Sequence, residues 1–387
     1  SDPGLVSTRT RVSPTGGSAF DIKSASVNII GITIVPTASV AYGITASSAY
    51  VTISSVNVDA GGNITTAGMR LSSWTVVSYS SVTVGDAHGY WLDGSTRTQV
   101  SYSTAVNNSA GRYPIYLSGG KNNSLTAIYA SNPYASGYVL YINASDTNSV
   151  TQSYFMNGNF GVNFAGGASY NTIDLSTIVV ITYGVLANSS SSNTIQNSYL
   201  KSNNYGIELQ SGSQQYSIIA STLIGGDTGV RITGGISHTI SRSYVNGAFY
   251  GIALSMNARF NTISLSTVTS SNVSYPALYI SASSSNTILD SYIQGSTAAW
   301  IRSSTSTVIG GSVLISTRNG GSALGMDGGS FNLALTSSTF KGGPQGAAVI
   351  ISSGNFGFIT LTSNTITGGQ WGISIATMAC GLCNGNL

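Results

Sequence analysis

Ser190–Gly212 reads SSSNTIQNSYLKSNNYGIELQSG. It carries three short apolar beats: Asn193-Thr194-Ile195, Ser198-Tyr199-Leu200 and Tyr205-Gly206-Ile207-Glu208-Leu209. Between them stand Ser, Asn, Gln and Lys. Each beat alternates apolar with polar residues, the period-two pattern of a strand with one buried face. No beat is long enough for a helix, and the β-branched and glycine content disfavours one. The intervening Ser, Asn and Gly are residues that tolerate turns.

The same pattern recurs along the chain. The apolar residue at the "NTI" place reads Ile29, Ile53, Val76, Val100, Leu125, Val150, Ile173, Ile195, Ile218, Ile240, Ile263, Ile288, Val308, Leu333 and Ile359, at intervals of 20 to 26 residues. Three short strands per repeat at near-constant spacing predict a coil that climbs one strand separation per turn. Each strand then pairs with its equivalents in the turns before and after it, which is a parallel β-helix of about 15 coils. One coil cannot bury enough surface to offset the entropy of ordering it, so stability is collective. Two places before the apolar position stand Asn123, Asn148, Asn171, Asn193, Asn261 and Asn286. Stacked amides at a turn can hydrogen-bond along the coil axis, so these six are expected as a structural ladder. Tyr216 and His238 fall in the same column, which makes His238 a ladder residue rather than a catalyst.

Only 6% of the 387 residues are charged, and the net charge is +3. Ordinary soluble proteins carry about 25% charged residues. Disorder is excluded by 22 Tyr and a 41% hydrophobic content, because disordered chains lack aromatic and β-branched residues. No basic run supplies the electrostatic footprint of nucleic-acid binding. No apolar run approaches the ~18 residues of a membrane span.

Candidate chemistry is sparse. The 11 acids do not stack in one column. Their densest group is Asp86, His88 and Asp93, with Arg70 and Arg112 one coil either way; these three are the weak catalytic candidates. Glu208 and Arg231 share the fourth place of "YGIxL" in adjacent coils and read as an exposed ion pair. The same column, outward by alternation, presents Trp91, Tyr116 and Tyr141 in consecutive coils, then Tyr279 and Trp300. These five are the candidate binding residues, for a neighbouring subunit or for sugar rings. Cys380 and Cys383 form CGLC near the end. A local disulfide is expected there, since one pair is too few for a zinc site and no thioredoxin-like pattern accompanies it. No metal and no cofactor are expected.

The pattern "YGIxL…SSNTI…NSY(I/L)" resembles the repeats of the pectate-lyase-like superfamily, and most of all the NosD-type periplasmic repeat. It is also similar to the Ser/Thr-rich repeats of large bacterial surface proteins. The resemblance covers about residues 26–376 and implies an all-β, single-stranded, right-handed parallel β-helix. The expected domains are a lead-in or partial cap at 1–25, the solenoid at 26–376 and a tail at 377–387. An enzyme on such a scaffold resembles a polysaccharide lyase or glycoside hydrolase, which needs clustered acids. Scarce charge and the lack of an evident C-terminal cap favour instead an extracellular structural or adhesive protein of the cell surface. It would associate with itself head to tail or laterally, as part of a filament, and not be an enzyme. The alternative is a carbohydrate-active β-helix, either a polysaccharide lyase or hydrolase or a non-catalytic glycan binder. Its partner would then be a glycan.

Overall fold

The computed structural model describes residues 10–134, 136–352 and 357–375. Cys380 and Cys383 lie outside the described residues. Among those described there is no helix; the strands form three parallel sheets, one strand of each per turn, in a right-handed solenoid of about 16 turns. The chain divides into two compact units, residues 1–193 and 194–387.

In the first unit the first sheet starts with Thr10–Val12, the second with Ser18–Ile22 and the third with Asn28–Ile30. Residues 10–25, expected as a lead-in, therefore supply two strands that pair in register with the next turn, Arg11 with Thr33 and Phe20 with Ile44. The interior is filled by one column from each sheet. Val100, Leu125, Val150 and Ile173 come from the third, Phe155 and Ile178 from the first, and Leu117, Ile142 and Phe164 from the second; all are buried. A side chain of this size contributes about 2 kcal/mol when fully buried. The second unit repeats the arrangement, with Ile218, Ile240, Ile263 and Ile288 in its third sheet.

The register of the apolar column differs from the sequence reading at four places. Ile53 pairs with Val77 rather than Val76, and Ile288 with Ile309 rather than Val308. Leu335 and Leu361 then continue the column in place of Leu333 and Ile359. At each place two apolar residues lie one or two apart. The Asn that fixes the count elsewhere is replaced at two of them by Thr75 and Thr307, both fully buried.

The ladder residues hold the turns together. Asn123 Nδ2 donates to Asn148 Oδ1 at 2.9 Å, Asn148 Nδ2 to Asn171 Oδ1 at 2.9 Å and Asn171 Nδ2 to Asn193 Oδ1 at 3.0 Å. Each Oδ1 also accepts the backbone N–H of the preceding ladder residue. In the second unit Asn261 Nδ2 donates to Asn286 Oδ1 at 3.0 Å. A second ladder, absent from the sequence reading, runs on serine. The backbone N–H groups of Ser221, Ser243, Ser266 and Ser291 donate to the hydroxyls of Ser243, Ser266, Ser291 and Ser312. Each of the first four hydroxyls turns its own hydrogen to the carbonyl two residues back. Both ladders give buried polar groups at the corners a partner, which the fold requires wherever backbone leaves the sheets.

The corners themselves use left-handed backbone at residues other than glycine, among them Tyr170 (φ 58°), Leu175 (φ 48°), Phe260 (φ 58°) and Leu265 (φ 51°). Such a conformation costs a bulky residue roughly 1–2 kcal/mol. The cost is met by the next turn: Tyr170 N–H reaches Ser191 O and Leu265 N–H reaches Leu289 O. Leu175 is 55% exposed, so its side chain does little packing there. Leu175→Asn, which tolerates this conformation, is expected to raise stability by about 0.5–1 kcal/mol in urea unfolding.

Candidate functional site

The outer face of the second sheet in the first unit carries the candidate site. Here the "YGIxL" strands do not alternate strictly. The ladder pairs Tyr138 with Phe160 and next Leu140 with Val162, passing over Val139 and Gly161. In the second unit Tyr205 pairs with Thr228 and then Ile207 with Val230, passing over Gly206 and Gly229. The backbones come so close there that a Cβ on Gly206 would stand 2.5 Å from Gly229 O. The irregularity brings the ring at the start of the beat, three residues before the "x" position, to the same face as "x". Strict alternation places it on the opposite face.

Two ranks of rings therefore meet. Trp91 stacks on Tyr116 (centroids 6.1 Å, planes 18° apart), and Tyr116 meets Tyr141 edge-on at 5.8 Å. Tyr113 stacks on Tyr141 at 4.6 Å and 7°. Tyr138 stacks on Phe160 at 4.2 Å and 9°, and Phe160 on Tyr183 at 5.1 Å and 3°. Trp91, Tyr116 and Tyr141 were legible from the "x" column; Tyr113, Tyr138, Phe160 and Tyr183 were missed, though a ring three places before the "x" residue in four consecutive repeats was the available signal. Burial, with its neighbours Tyr141, Tyr116 and Tyr138, pushes the Tyr113 phenol up to about 12. Burial raises Tyr138 and Tyr141 as well. All three are neutral hydroxyls at physiological pH, able to donate and accept hydrogen bonds.

At one end of this row Arg70 Nε and Nη2 donate to Asp93 Oδ2 at 3.0 and 2.5 Å. The guanidinium lies 5.2 Å from the Trp91 ring and 5.9 Å from the Tyr42 ring. A shallow pocket of about 170 Å³ opens beside the pair, lined by Thr45, Ala46, Ser47, Arg70, Leu71, Ser72 and Asp93.

Asp86, His88 and Asp93 have separate partners. Asp86 Oδ1 accepts from Ser109 Oγ at 2.5 Å, and Asp93 belongs to Arg70. His88 is buried, stacks on Tyr116 at 4.8 Å and accepts the Tyr113 backbone N–H on Nδ1 at 3.1 Å. Its Nε2 lies 3.5 Å from Arg112 Nη1. Burial, then the Arg112 charge, lower its pKa to about 4. A neutral ring with Nδ1 engaged is a weak general base near pH 7.

In the second unit Tyr279 stacks on Tyr250 at 5.3 Å. Trp300 lies over Gly325, where an added Cβ would stand 2.4 Å from the indole. Glu208 and Arg231 do not form an exposed pair: the Glu208 side chain is 6% exposed, 3.7 Å from Arg231 Nε. Arg231 also donates to Tyr205 Oη at 2.8 Å and lies over that ring.

Two family models match the chain: "Periplasmic copper-binding protein (NosD)" over residues 106–265 and "Right handed beta helix region" over residues 228–382. No curated protein matches the sequence. Among solved structures, a double mutant of the periplasmic alginate epimerase AlgG is similar with a TM-score of 0.51 at 10% identity, over 89% of this chain and 80% of that one. The Streptococcus pneumoniae surface protein and adhesin PfbA gives 0.44 at 14% identity, over 78% and 91%. DFA-IIIase from Arthrobacter chlorophenolicus A6 gives 0.38 at 10% identity, over 79% and 84%. The expectation that the chain is not an enzyme is corrected by these similarities. An alginate epimerase shares this fold, so the lack of stacked acids does not exclude catalysis on this scaffold. The copper named in one family description finds no matching residues: among the described residues no three His, Cys, Asp or Glu side chains cluster, and both histidines are buried, each with Nδ1 accepting a backbone N–H. With strands, ladders and family models in agreement, the chain is a right-handed parallel β-helix repeat protein.

Proposed function

We propose that this protein engages a glycan along the outer face of the second sheet in its first unit, in a cell envelope or at a cell surface. The observation that carries the reading is the continuous row of rings from Trp91 through Tyr116, Tyr141 and Tyr138 to Phe160 and Tyr183. Successive turns are about 4.8 Å apart, so the row is long enough to face several sugar rings. Stacked on one another, the rings turn their edges outward for apolar contact with the C–H groups of sugars, while neutral phenols and the Arg70–Asp93 pair supply hydrogen bonds to hydroxyls. An adhesive role is the same reading with the glycan borne by another cell. The periplasmic descriptions of the NosD model and of the alginate epimerase agree with an envelope location. Filament formation has no support among the similarities and does not enter the proposal.

Binding of a glycan panel by the intact chain tests the reading. Tyr116→Ala is expected to weaken the best ligand about tenfold, or ~1.4 kcal/mol, with an unchanged circular dichroism spectrum. Carbohydrate NMR of the same mixtures reads any turnover. Equal binding by wild type and Tyr116→Ala, or binding by no glycan at all, overturns the proposal.

A further inference from the structure

We infer that the pocket beside Arg70 and Asp93 is a subsite for one neutral, unsubstituted sugar residue, recognised through two adjacent hydroxyls; this rests on the glycan-binding reading above. Thr45 and Arg70 are register neighbours on adjacent strands, Val40–Ala46 and Ile64–Leu71, and Arg70 is in turn the neighbour of Trp91 on His88–Asp93. The pocket of about 170 Å³ is of the size of a single pyranose and continues the aromatic row.

Its polar groups are arranged for a diol. Arg70 uses Nε and Nη2 on Asp93 Oδ2, which leaves Arg70 Nη1 as a donor and Asp93 Oδ1 as an acceptor for a ligand. One sugar hydroxyl can accept from the first while its neighbour donates to the second. Thr45, 7% exposed, lines the same pocket, and its Oγ1 is buried without a hydrogen-bond partner. Trp91 Nε1, on the next strand, is a second buried donor without one. Buried polar groups are ordinarily satisfied; of these two only Thr45 lines the pocket, and its unsatisfied hydroxyl marks where a ligand hydroxyl would be held.

Charge decides the class of sugar. The guanidinium and carboxylate cancel, and Asp21, the register neighbour of Thr45, is paired with Lys23 at 3.1 Å. A uronate would bring a carboxylate against Asp93 and Asp21 with no surplus cation to meet it. A neutral hexose meets no such penalty.

The test is calorimetric binding of matched hexamers to the intact chain, each neutral hexose oligomer beside its C6-oxidised partner: glucose with glucuronate, mannose with mannuronate, galactose with galacturonate. The neutral member of one pair is expected to bind at least tenfold more tightly than its partner. Thr45→Val, which keeps the shape, is expected to lose about threefold. Asp93→Asn leaves the guanidinium uncompensated and is expected to lose at least tenfold for the neutral oligomer while gaining for the uronate. If the uronate binds wild type as well or better, the subsite is wrong. If Asp93→Asn and Thr45→Val bind like wild type while Tyr116→Ala does not, the subsite falls and the aromatic face stands. If no oligomer of any pair binds, both fall.

Discussion

Asn171→Leu is expected to destabilise the first unit by roughly 3–6 kcal/mol. Asn171 Oδ1 accepts two hydrogen bonds, from the backbone N–H and the side-chain Nδ2 of Asn148, both at 2.9 Å. Its own Nδ2 donates to Asn193 Oδ1 at 3.0 Å and to Ser145 O at 2.8 Å. All three Asn side chains are buried, so the donors that lose their acceptor cannot turn to water. Each buried group left unsatisfied costs about 1–3 kcal/mol. Urea unfolding followed by far-ultraviolet circular dichroism checks the value; a midpoint within error of wild type would show that the amide column is decorative. Asn171→Asp separates acceptor from donor. The carboxylate still accepts from Asn148 but faces Asn193 Oδ1 and Ser145 O. Burial and these acceptors raise its pKa in the folded state. Its stability relative to wild type at the same pH is therefore lowest at neutral pH and recovers as acid supplies the missing proton.

The arrangement of these columns shows what a sequence of this kind discloses. Apolar periodicity marks each turn because every turn must put one short face inward, and Asn marks the register because its amide accepts from one turn and donates to the next. Where Thr75 or Thr307 holds that place, the marker is lost, and Val76 and Val308 cannot be told from Val77 and Ile309 by hydropathy alone. The corners were legible only where Gly, Asn or Ser marks them. Left-handed backbone is normally signalled by Gly or Asn, but at Tyr170, Leu175 and Phe260 the neighbouring turns enforce it. The aromatic cluster of the candidate site was half legible for a related reason. Period two finds Trp91, Tyr116 and Tyr141, yet Tyr113, Tyr138 and Phe160 reach the same face only because the ladder skips a residue. The burial of Glu208 does not follow from alternation, which places the fourth residue of its strand in solvent; beside it Arg231 pairs with its carboxylate and lies over the Tyr205 ring.

Acid is expected to weaken the protein through its two histidines, both held neutral in the fold. His88 is lowered to about 4 by burial and by Arg112; a hydrogen bond from the Tyr113 backbone and the charge of Asp86 oppose this. His238 is lowered to about 3 by burial, opposed by a hydrogen bond to the Ser213 backbone. The unfolded chain titrates near 6.5. Above that pH both states are neutral and the contribution is fully present. As pH falls below 6.5 the unfolded chain takes up protons that the folded one refuses, until the folded rings titrate near 4 and 3. Each histidine then removes about 1.4 kcal/mol per pH unit, or about 5 kcal/mol for the pair between pH 6.5 and 4.5. His238 occupies an amide place: its Nδ1 accepts the Tyr216 backbone N–H at 3.1 Å, and its own N–H donates to Asn261 Oδ1 at 2.9 Å. His238→Asn keeps both roles, so it is expected to halve the acid slope while leaving stability at pH 7.5 within about 1–2 kcal/mol of wild type, the loss being the ring's packing. That ring also explains Gly235, where a Cβ would stand 2.4 Å from His238 Nε2. Ala168 and Ala258 hold the corresponding place beside Asn171 and Asn261. Adding Gly235→Ala to His238→Asn should therefore fill the space and recover the lost stability. Urea midpoints at pH 7.5 and 4.5 for wild type, the single and the double variant decide the matter. An unchanged acid slope in His238→Asn would mean that the buried ring is not what acid attacks.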